Sequence, residues 1–264
     1  MTPLSTIPSS ATQLLAGKHA LVTGGSRGIG AAIARALIAH GARVTITGRD
    51  EASLAGAARD CGARFVVGDV SDRASAIRTL ELASTSSGCV DILVNNAGQA
   101  LSAPFLKTDL ALWRRMLAVN LDGTFLFTQS ALPPMLEAGW GRIVNIASTA
   151  GLVGYAYVSA YCTAKHAVVG LTRALAVEVA AKGVTVNAVC PGYTDTDLVR
   201  HSIETIVAKT GKTTDAVISE LTAKNPQKRL VLPEEAANAV AWLCLPGSDA
   251  INGQAIAVAG GEVM

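Results

Sequence analysis

Short apolar runs alternate with stretches of helical spacing along almost the whole chain. The run His19–Thr23 leads into Gly24-Gly25-Ser26-Arg27-Gly28-Ile29-Gly30, and Ile29–His40 then places Ile33, Leu37 and Ile38 on one side. Gly41 follows as a helix stop. The same rhythm predicts strands at Arg43–Thr47, Arg64–Gly68, Val90–Val94, Arg142–Ala147, Gly183–Val189 and Ala255–Ala259. It predicts helices over Glu51–Cys61, from a Ser71 or Asp72 cap through Leu82, and over Leu110–Leu132, Val158–Lys182 and Glu234–Leu245. Pro133 and Pro134 are expected to disturb the end of the Leu110–Leu132 helix, and Pro233 to open the last one.

Strands alternating with helices imply an α/β fold, a doubly wound parallel sheet covered on both faces. No repeat, low-complexity tract or linker divides the chain, so residues 17–264 read as one domain. Residues 1–16 carry Ser, Thr and Pro, with no basic start and no long apolar run, and read as a flexible extension rather than a signal peptide. Residues 197–230 are more polar and are expected to form helical, mobile cover.

Composition narrows the function. Half of the 264 residues are hydrophobic and only 16% are charged, enough apolar surface for a sizeable core. A net charge of +2 gives no reason to expect nucleic acid or an acidic membrane surface. The five cysteines are scattered, odd in number and form no C-x-x-C, which fits a reducing, cytoplasmic setting and favours neither zinc nor a disulfide framework. No stretch reaches the roughly 18 apolar residues of a membrane span. No His/Cys/Asp set has metal-ligand spacing, so no metal is expected.

In open parallel sheets ligands bind outside the carboxyl ends of the strands. Five unusual clusters each follow a predicted strand: the Gly24–Gly30 loop, Asp69, Asn95–Gly98, Ser148 and Pro191-Gly192. A glycine loop opening a helix turns backbone N–H groups toward a phosphate. Tyr161 and Lys165 are spaced i, i+4 and share a helix face, thirteen residues beyond Ser148. A lysine charge beside a phenol is expected to lower its pKa and make it a general acid/base near neutrality.

These motifs together resemble the short-chain dehydrogenase/reductase family. They stand as T-G-G-S-R-G-I-G (23–30), D-V (69–70), N-N-A-G (95–98), Asn120, Ser148, Y-C-T-A-K (161–165) and P-G (191–192), and the resemblance runs from Lys18 to Gly261. It implies a Rossmann-type domain, a nicotinamide cofactor and hydride transfer between that cofactor and a carbonyl or alcohol. It makes Tyr161 the proton donor in reduction, with Lys165 lowering its pKa and holding the nicotinamide ribose. Ser148 would hold the substrate oxygen, and Asn120 a water link to Lys165. Gly24, Ser26, Gly28, Ile29 and Gly30 would wrap the pyrophosphate and adjoining ribose. Asp69 and Val70 would meet adenine, and Asn96, Ala97 and Gly98 the adenosine side. Pro191, Gly192, Thr194 and Thr196 would lie by the nicotinamide. Asn95 reads as a structural tie between strands. Ala259 stands where many relatives have Asp, which puts a local C-terminal contact in doubt.

NAD-preferring relatives place an acid at the end of the second strand, where this chain has Gly48 followed by Arg49, with Arg27 in the glycine loop. Two guanidinium groups suit a 2′-phosphate, so NADP(H) is expected in preference to NAD(H). The small charge on the Ala160–Ala181 helix points to a buried face and a homotetramer. Leu152, Val153, Tyr155, Tyr157 and Tyr193 suggest a largely apolar pocket. Lysines in 197–230 could meet an anionic carrier, so 3-oxoacyl thioesters are the expected substrates. A 3-hydroxy acid dehydrogenase, a redox-sensing regulator that binds NADP(H) without turnover, and an epimerase or dehydratase are the alternatives. The last of these is the least expected, since such enzymes usually need a longer C-terminal substrate domain and little chain remains here after Gly192.

Overall fold

The computed structural model describes residues 13–264. Seven parallel strands form one sheet in the order β3-β2-β1-β4-β5-β6-β7. They are β1 (His19–Thr23), β2 (Arg43–Gly48), β3 (Arg64–Val67), β4 (Ile92–Asn95), β5 (Gly141–Ile146), β6 (Val184–Pro191) and β7 (Ala255–Val258). The direction of winding reverses between β1 and β4, and that reversal opens a crevice at their carboxyl ends.

Successive side chains of a strand point to opposite faces, and the core divides accordingly. Val22, Ile46, Val94 and Val144 pack on one face with Ile33 and Leu37 of α1 (Gly28–Ala39) and Val240 of α9 (Pro233–Cys244). Leu21, Leu93, Ile143 and Val186 pack on the other. There they meet α3 (Arg73–Ser87), α5 (Gly123–Ala138) and α6 (Ser159–Val179). The remaining helices are α2 (Glu51–Cys61), α4 (Leu110–Leu117), α7 (Asp197–Thr210) and α8 (Thr214–Leu221). The polar stretch 197–230 is thus helical in two pieces.

Three expectations change. Residues 1–12 of the expected flexible extension lie outside the described residues, but residues 13–16 do not behave as an extension. Leu15 is buried against the α1 side of the core, and its N–H donates to the His40 carbonyl at 2.8 Å. The helix after Asp72 runs to Ser87 instead of ending at Leu82. Ala83 and Ser87 are buried in its last turn, and burial outweighs the weak helix preference of Ser84–Ser87. The helix expected over Leu110–Leu132 is α4, a π turn at Ala118–Asp122 and then α5. Pro133 and Pro134 do not disturb its end, since α5 continues to Ala138 with Met135 anchored in the core.

Asn95 ties strands together as expected. Its Nδ2 donates to Asn145 Oδ1 on β5 and to Thr128 Oγ1 on α5, both at 2.9 Å, and Asn145 Nδ2 reaches Thr172 Oγ1 on α6 at 2.9 Å. This buried relay locks β4 and β5 to the two helices that flank the crevice.

Candidate active site

The crevice is built from five strand ends. After β1, the chain turns through Gly24 and Gly28, both with positive φ, into the N-terminus of α1. Gly30 must lack a side chain, because a Cβ there would collide with the Gly24 carbonyl oxygen. The loop is braced from β4. Thr23 Oγ1 accepts the N–H groups of Asn96 and Ala97 at 3.0 Å, and Asn96 Nδ2 donates to the carbonyls of Thr23 and Gly24 at 2.9 and 3.0 Å. The Asn96 side chain is therefore committed to shaping the glycine loop. Thr23 opens the T-G-G-S-R-G-I-G motif, but the sequence assigns it no role, and only the fold shows it bracing the loop.

Arg27 caps α1 in extended backbone and is exposed, as is Arg49 just past β2. Asp50 follows Arg49, but its carboxylate accepts from Ser53 N at 2.8 Å as the cap of α2. Asp69 accepts from the backbone and hydroxyl of Ser71 at 2.9 and 2.7 Å, and Val70 beside it is buried. Arg27, Ser26 and Gly28 line one side of a cleft of about 400 Å³, and Asp195, Thr196 and Arg200 line the other. Thr194 is buried and donates to the Gly192 carbonyl at 2.9 Å, which holds the loop after β6 across from the glycine turn.

Ser148 follows β5 and caps a short 3-10 turn, its Oγ accepting from Ala150 N at 3.1 Å. Tyr161 and Lys165 lie on the first turns of α6, on the same side as Ser148. Lys165 is buried, and its Nζ donates to the Ile146 carbonyl at 2.7 Å. Burial pulls the Lys165 pKa down to about 8. Burial drives the Tyr161 phenol up to about 12, against the pull of the facing Ser148 hydroxyl. This corrects the expectation that the lysine lowers the tyrosine pKa. Nζ turns to the end of β5 and stands 5.7 Å from the centre of the Tyr161 ring, so desolvation dominates both groups.

Asn120 sits in the π turn between α4 and α5, where an extra residue redirects its side chain. Its Oδ1 accepts from Gln99 N at 3.1 Å, and its Nδ2 donates to the carbonyls of Gln99 and Met116 at 2.9 Å. A Cβ on Gly98 would lie 2.8 Å from Asn120 Oδ1 and 3.7 Å from Lys165 Nζ, so this glycine leaves the space where both side chains approach.

The pocket expected to be largely apolar is not so throughout. Leu152 packs inward beside Ala147 and Val168, but Tyr157 is exposed. Tyr155 donates its phenol proton to Glu262 Oε1 at 2.5 Å and lies 2.9 Å from Thr149 Oγ1. Glu262 has no local sequence signal, since only the path of the chain after β7 brings it here. Among the described residues, no group of His, Cys, Asp and Glu could hold a metal ion. His19 lies at the opposite end of β1, buried between the Gly88 carbonyl and Thr45 Oγ1.

The sequence profile described as short chain dehydrogenase matches residues 18–207. The chain is 36% identical to a D-beta-hydroxybutyrate dehydrogenase of Rhizobium meliloti (strain 1021), over 92% of this chain and 98% of that one. It is 37% identical to the 3-oxoacyl-(acyl-carrier-protein) reductase FabG of Aquifex aeolicus (strain VF5), over 94% and 98%. A crystal structure of a variant actinorhodin polyketide ketoreductase with NADPH superposes with a TM-score of 0.89 at 38% identity, covering 93% of this chain and 97% of that one.

Proposed function

The chain belongs to the short chain dehydrogenase family and is an oxidoreductase of ketone and alcohol substrates, and on that premise we propose that it transfers a hydride between NADP(H) and a 3-oxoacyl thioester or similar ketone. One observation carries the reading: Ser148, Tyr161 and Lys165 meet at the carboxyl edge of the sheet, beside a glycine loop that leads into a helix N-terminus. The absent side chains of Gly24 and Gly30 let the turn close on itself and on Asn96 and Ala97, and that turn leads into the α1 N-terminus, which suits a pyrophosphate. With Ser26, Gly28 and Ile29, these two glycines would hold the pyrophosphate end. Asp69 and Val70 would hold the adenine, and Asn96, Ala97 and Gly98 the adenosine side. Pro191, Gly192, Thr194, Thr196, Tyr161 and Lys165 would hold the nicotinamide end. When bound, the nicotinamide supplies the hydride in reduction or takes it in oxidation.

In reduction, negative charge develops on the carbonyl oxygen, and donors aimed there stabilise it. Ser148 Oγ donates to that oxygen, and Tyr161 delivers its proton to it. A phenol with a pKa of about 12 is protonated at neutral pH, the state a proton donor requires. Lys165, turned to the Ile146 carbonyl at the end of β5, would hold the nicotinamide ribose. Asn120 fixes the loop at Gln99, next to Gly98, and would support a water link to Lys165.

Arg27 and Arg49 at the mouth of the glycine loop, with Asp50 turned away as a helix cap, support a preference for NADP(H). The test is kcat/KM with each cofactor: NADPH is expected to exceed NADH, and Arg49→Ala to shrink the ratio. A higher value with NADH, or a ratio indifferent to Arg49→Ala, overturns the preference. For the substrate, acetoacetyl-CoA should be reduced faster than an uncharged cyclic ketone. The basic residues of the α7–α8 segment that would meet its anionic tail include Lys209 and Lys224, while Lys212 and Arg229 are already paired with Glu220 and Glu235.

For assembly, the outer face of α6 carries Val177 at 82% exposure, and α5 exposes Phe125. Apolar groups so displayed suit a contact with a second copy, and a homotetramer is the proposed state. Light scattering at micromolar concentration decides it, a monomer mass being the contrary result. A cytoplasmic setting suits the five free cysteines.

A further inference from the structure

We propose that Glu262 sets the charge preference of the substrate pocket, discriminating against ketones that carry a carboxylate close to the reacting carbonyl. The inference deepens the reaction proposed above and rests on it. Past β7, Gly260 and Gly261 both take positive φ and turn the chain back over the end of β6, where Glu262 N donates to the Ala259 carbonyl at 3.1 Å. The turn is seated against the loop after α8, with Gly260 against Asn225 and Gly261 against Pro226.

That path places the Glu262 carboxylate between two parts of the crevice. Oε1 accepts the Tyr155 phenol at 2.5 Å, on the segment that leaves Ser148. Oε2 faces Gly192, where a Cβ would lie only 3.0 Å away. Tyr155 and Tyr193 meet edge to face at 6.2 Å, and Tyr193 adds to the burial that raises the Tyr161 pKa. Tyr193 thus lies in the electrostatic reach of both the carboxylate and the proton donor. Thr149 supports the arrangement, since a phenol has one proton and Tyr155 gives it to Glu262, so the threonine hydroxyl must donate to the phenol oxygen.

Among the described residues, no Lys or Arg lies within ion-pair distance of Glu262. Lys224 is the cation that faces this cluster, its Nζ 5.7 Å from the centre of the Tyr155 ring, and it is exposed, so water shares its charge. A negative group held by a tyrosine, half-buried at the wall of the crevice, repels a second negative group brought beside it. The same wall leaves a neutral ketone or ester unopposed. Specificity of this kind comes from the repulsive element as much as from any attraction.

The experiment compares methyl acetoacetate with acetoacetate, which differ in one negative charge, by kcat/KM with NADPH. Wild type should favour the ester, and Glu262→Gln, which keeps the size and an acceptor oxygen, should shrink that preference on the order of tenfold, mostly through KM for the acid. Tyr155→Phe leaves the carboxylate in place and should keep most of the preference. Glu262→Ala removes the charge with less demand on packing and serves if Gln does not fold. A ratio unchanged in both Glu262 variants overturns the inference alone and leaves Glu262 as a tie for the C-terminal turn. An equal loss in Tyr155→Phe would assign the preference to pocket shape and overturn it too. No turnover of either substrate by wild type overturns the reaction and this inference together.

Discussion

Each end of the sheet buries one long cationic side chain, and the two are surrounded differently. At the amino end, Arg142 is 1% exposed at the start of β5. Its guanidinium donates to the carbonyls of Gly141 and Gly183 at 2.9 and 3.4 Å and to the Asp249 carboxylate, and it lies 4.4 Å from the centre of the Trp140 ring. Lys18 also lies over that ring at 3.6 Å and pairs with Asp91 at 3.3 Å. At the carboxyl end, Lys165 is 4% exposed and donates to one carbonyl, with no carboxylate within ion-pair distance among the described residues. A buried charge that is compensated is a fastening. One left short of partners is a group whose proton is easily shared, the condition an acid/base site needs. The difference supports the carboxyl end of the sheet as the proposed seat of the chemistry.

The sharpest way to break the comparison is Tyr161→Phe. It removes one hydroxyl and keeps the ring, so the fold should stand while kcat falls on the order of 10²–10⁴-fold. A kcat within about threefold of wild type, well short of general acid loss, would make the carboxyl end a second structural cluster. The measurement is steady-state turnover of the folded variant with NADPH binding followed by fluorescence.

Unfolding in denaturant without cofactor sharpens the contrast between the cations. Lys165→Met should raise stability by about 1–3 kcal/mol, because it removes a buried charge without a counterion, while losing activity. Arg142→Met should lower it by about 1–3 kcal/mol, because charge-assisted hydrogen bonds go with it. Both variants shifting the same way would erase the distinction. The pH dependence isolates Lys165. Its pKa is about 8 in the folded chain against 10.5 for a free lysine, so between those values the unfolded chain holds the extra proton. The penalty is complete below pH 8 and relieved as pH rises toward 10.5, and the advantage of Lys165→Met over wild type should shrink across that window. An advantage constant from pH 7 to 10.5 would contradict it.

The smallest effect is expected at the amino end itself. Trp140→Leu removes the ring beneath Lys18 and Arg142, and should lower stability by about 0.5–1 kcal/mol for each cation–π contact while leaving kcat at the wild-type value. Thermal melting and turnover on one preparation check both, and a fall in kcat would show that the two ends are coupled.

Much of the carboxyl end is legible in the chain, because its parts are local. A glycine loop after an apolar run, an i, i+4 tyrosine and lysine, and a serine ending a strand each declare themselves within a few residues. The expected fall in the Tyr161 pKa fails because desolvation depends on everything packed around the phenol, which spacing does not contain. The proline pair inside α5 fails as a helix end for a similar reason: Met135 in the core outweighs a local penalty.

The sequence by itself determines the alternation of strand and helix, the parallel sheet and the strand ends proposed to carry chemistry, since apolar periodicity and backbone stereochemistry act over short range. The order β3-β2-β1-β4-β5-β6-β7 and the Arg142–Trp140–Lys18 cluster are decided only in three dimensions. So are the service of Asn96 and Thr23 as braces and the arrival of Glu262 beside Tyr155 from 107 residues away. These depend on which elements lie side by side, and that is set by burying two faces of one sheet at once, a sum over the whole chain that no short stretch records.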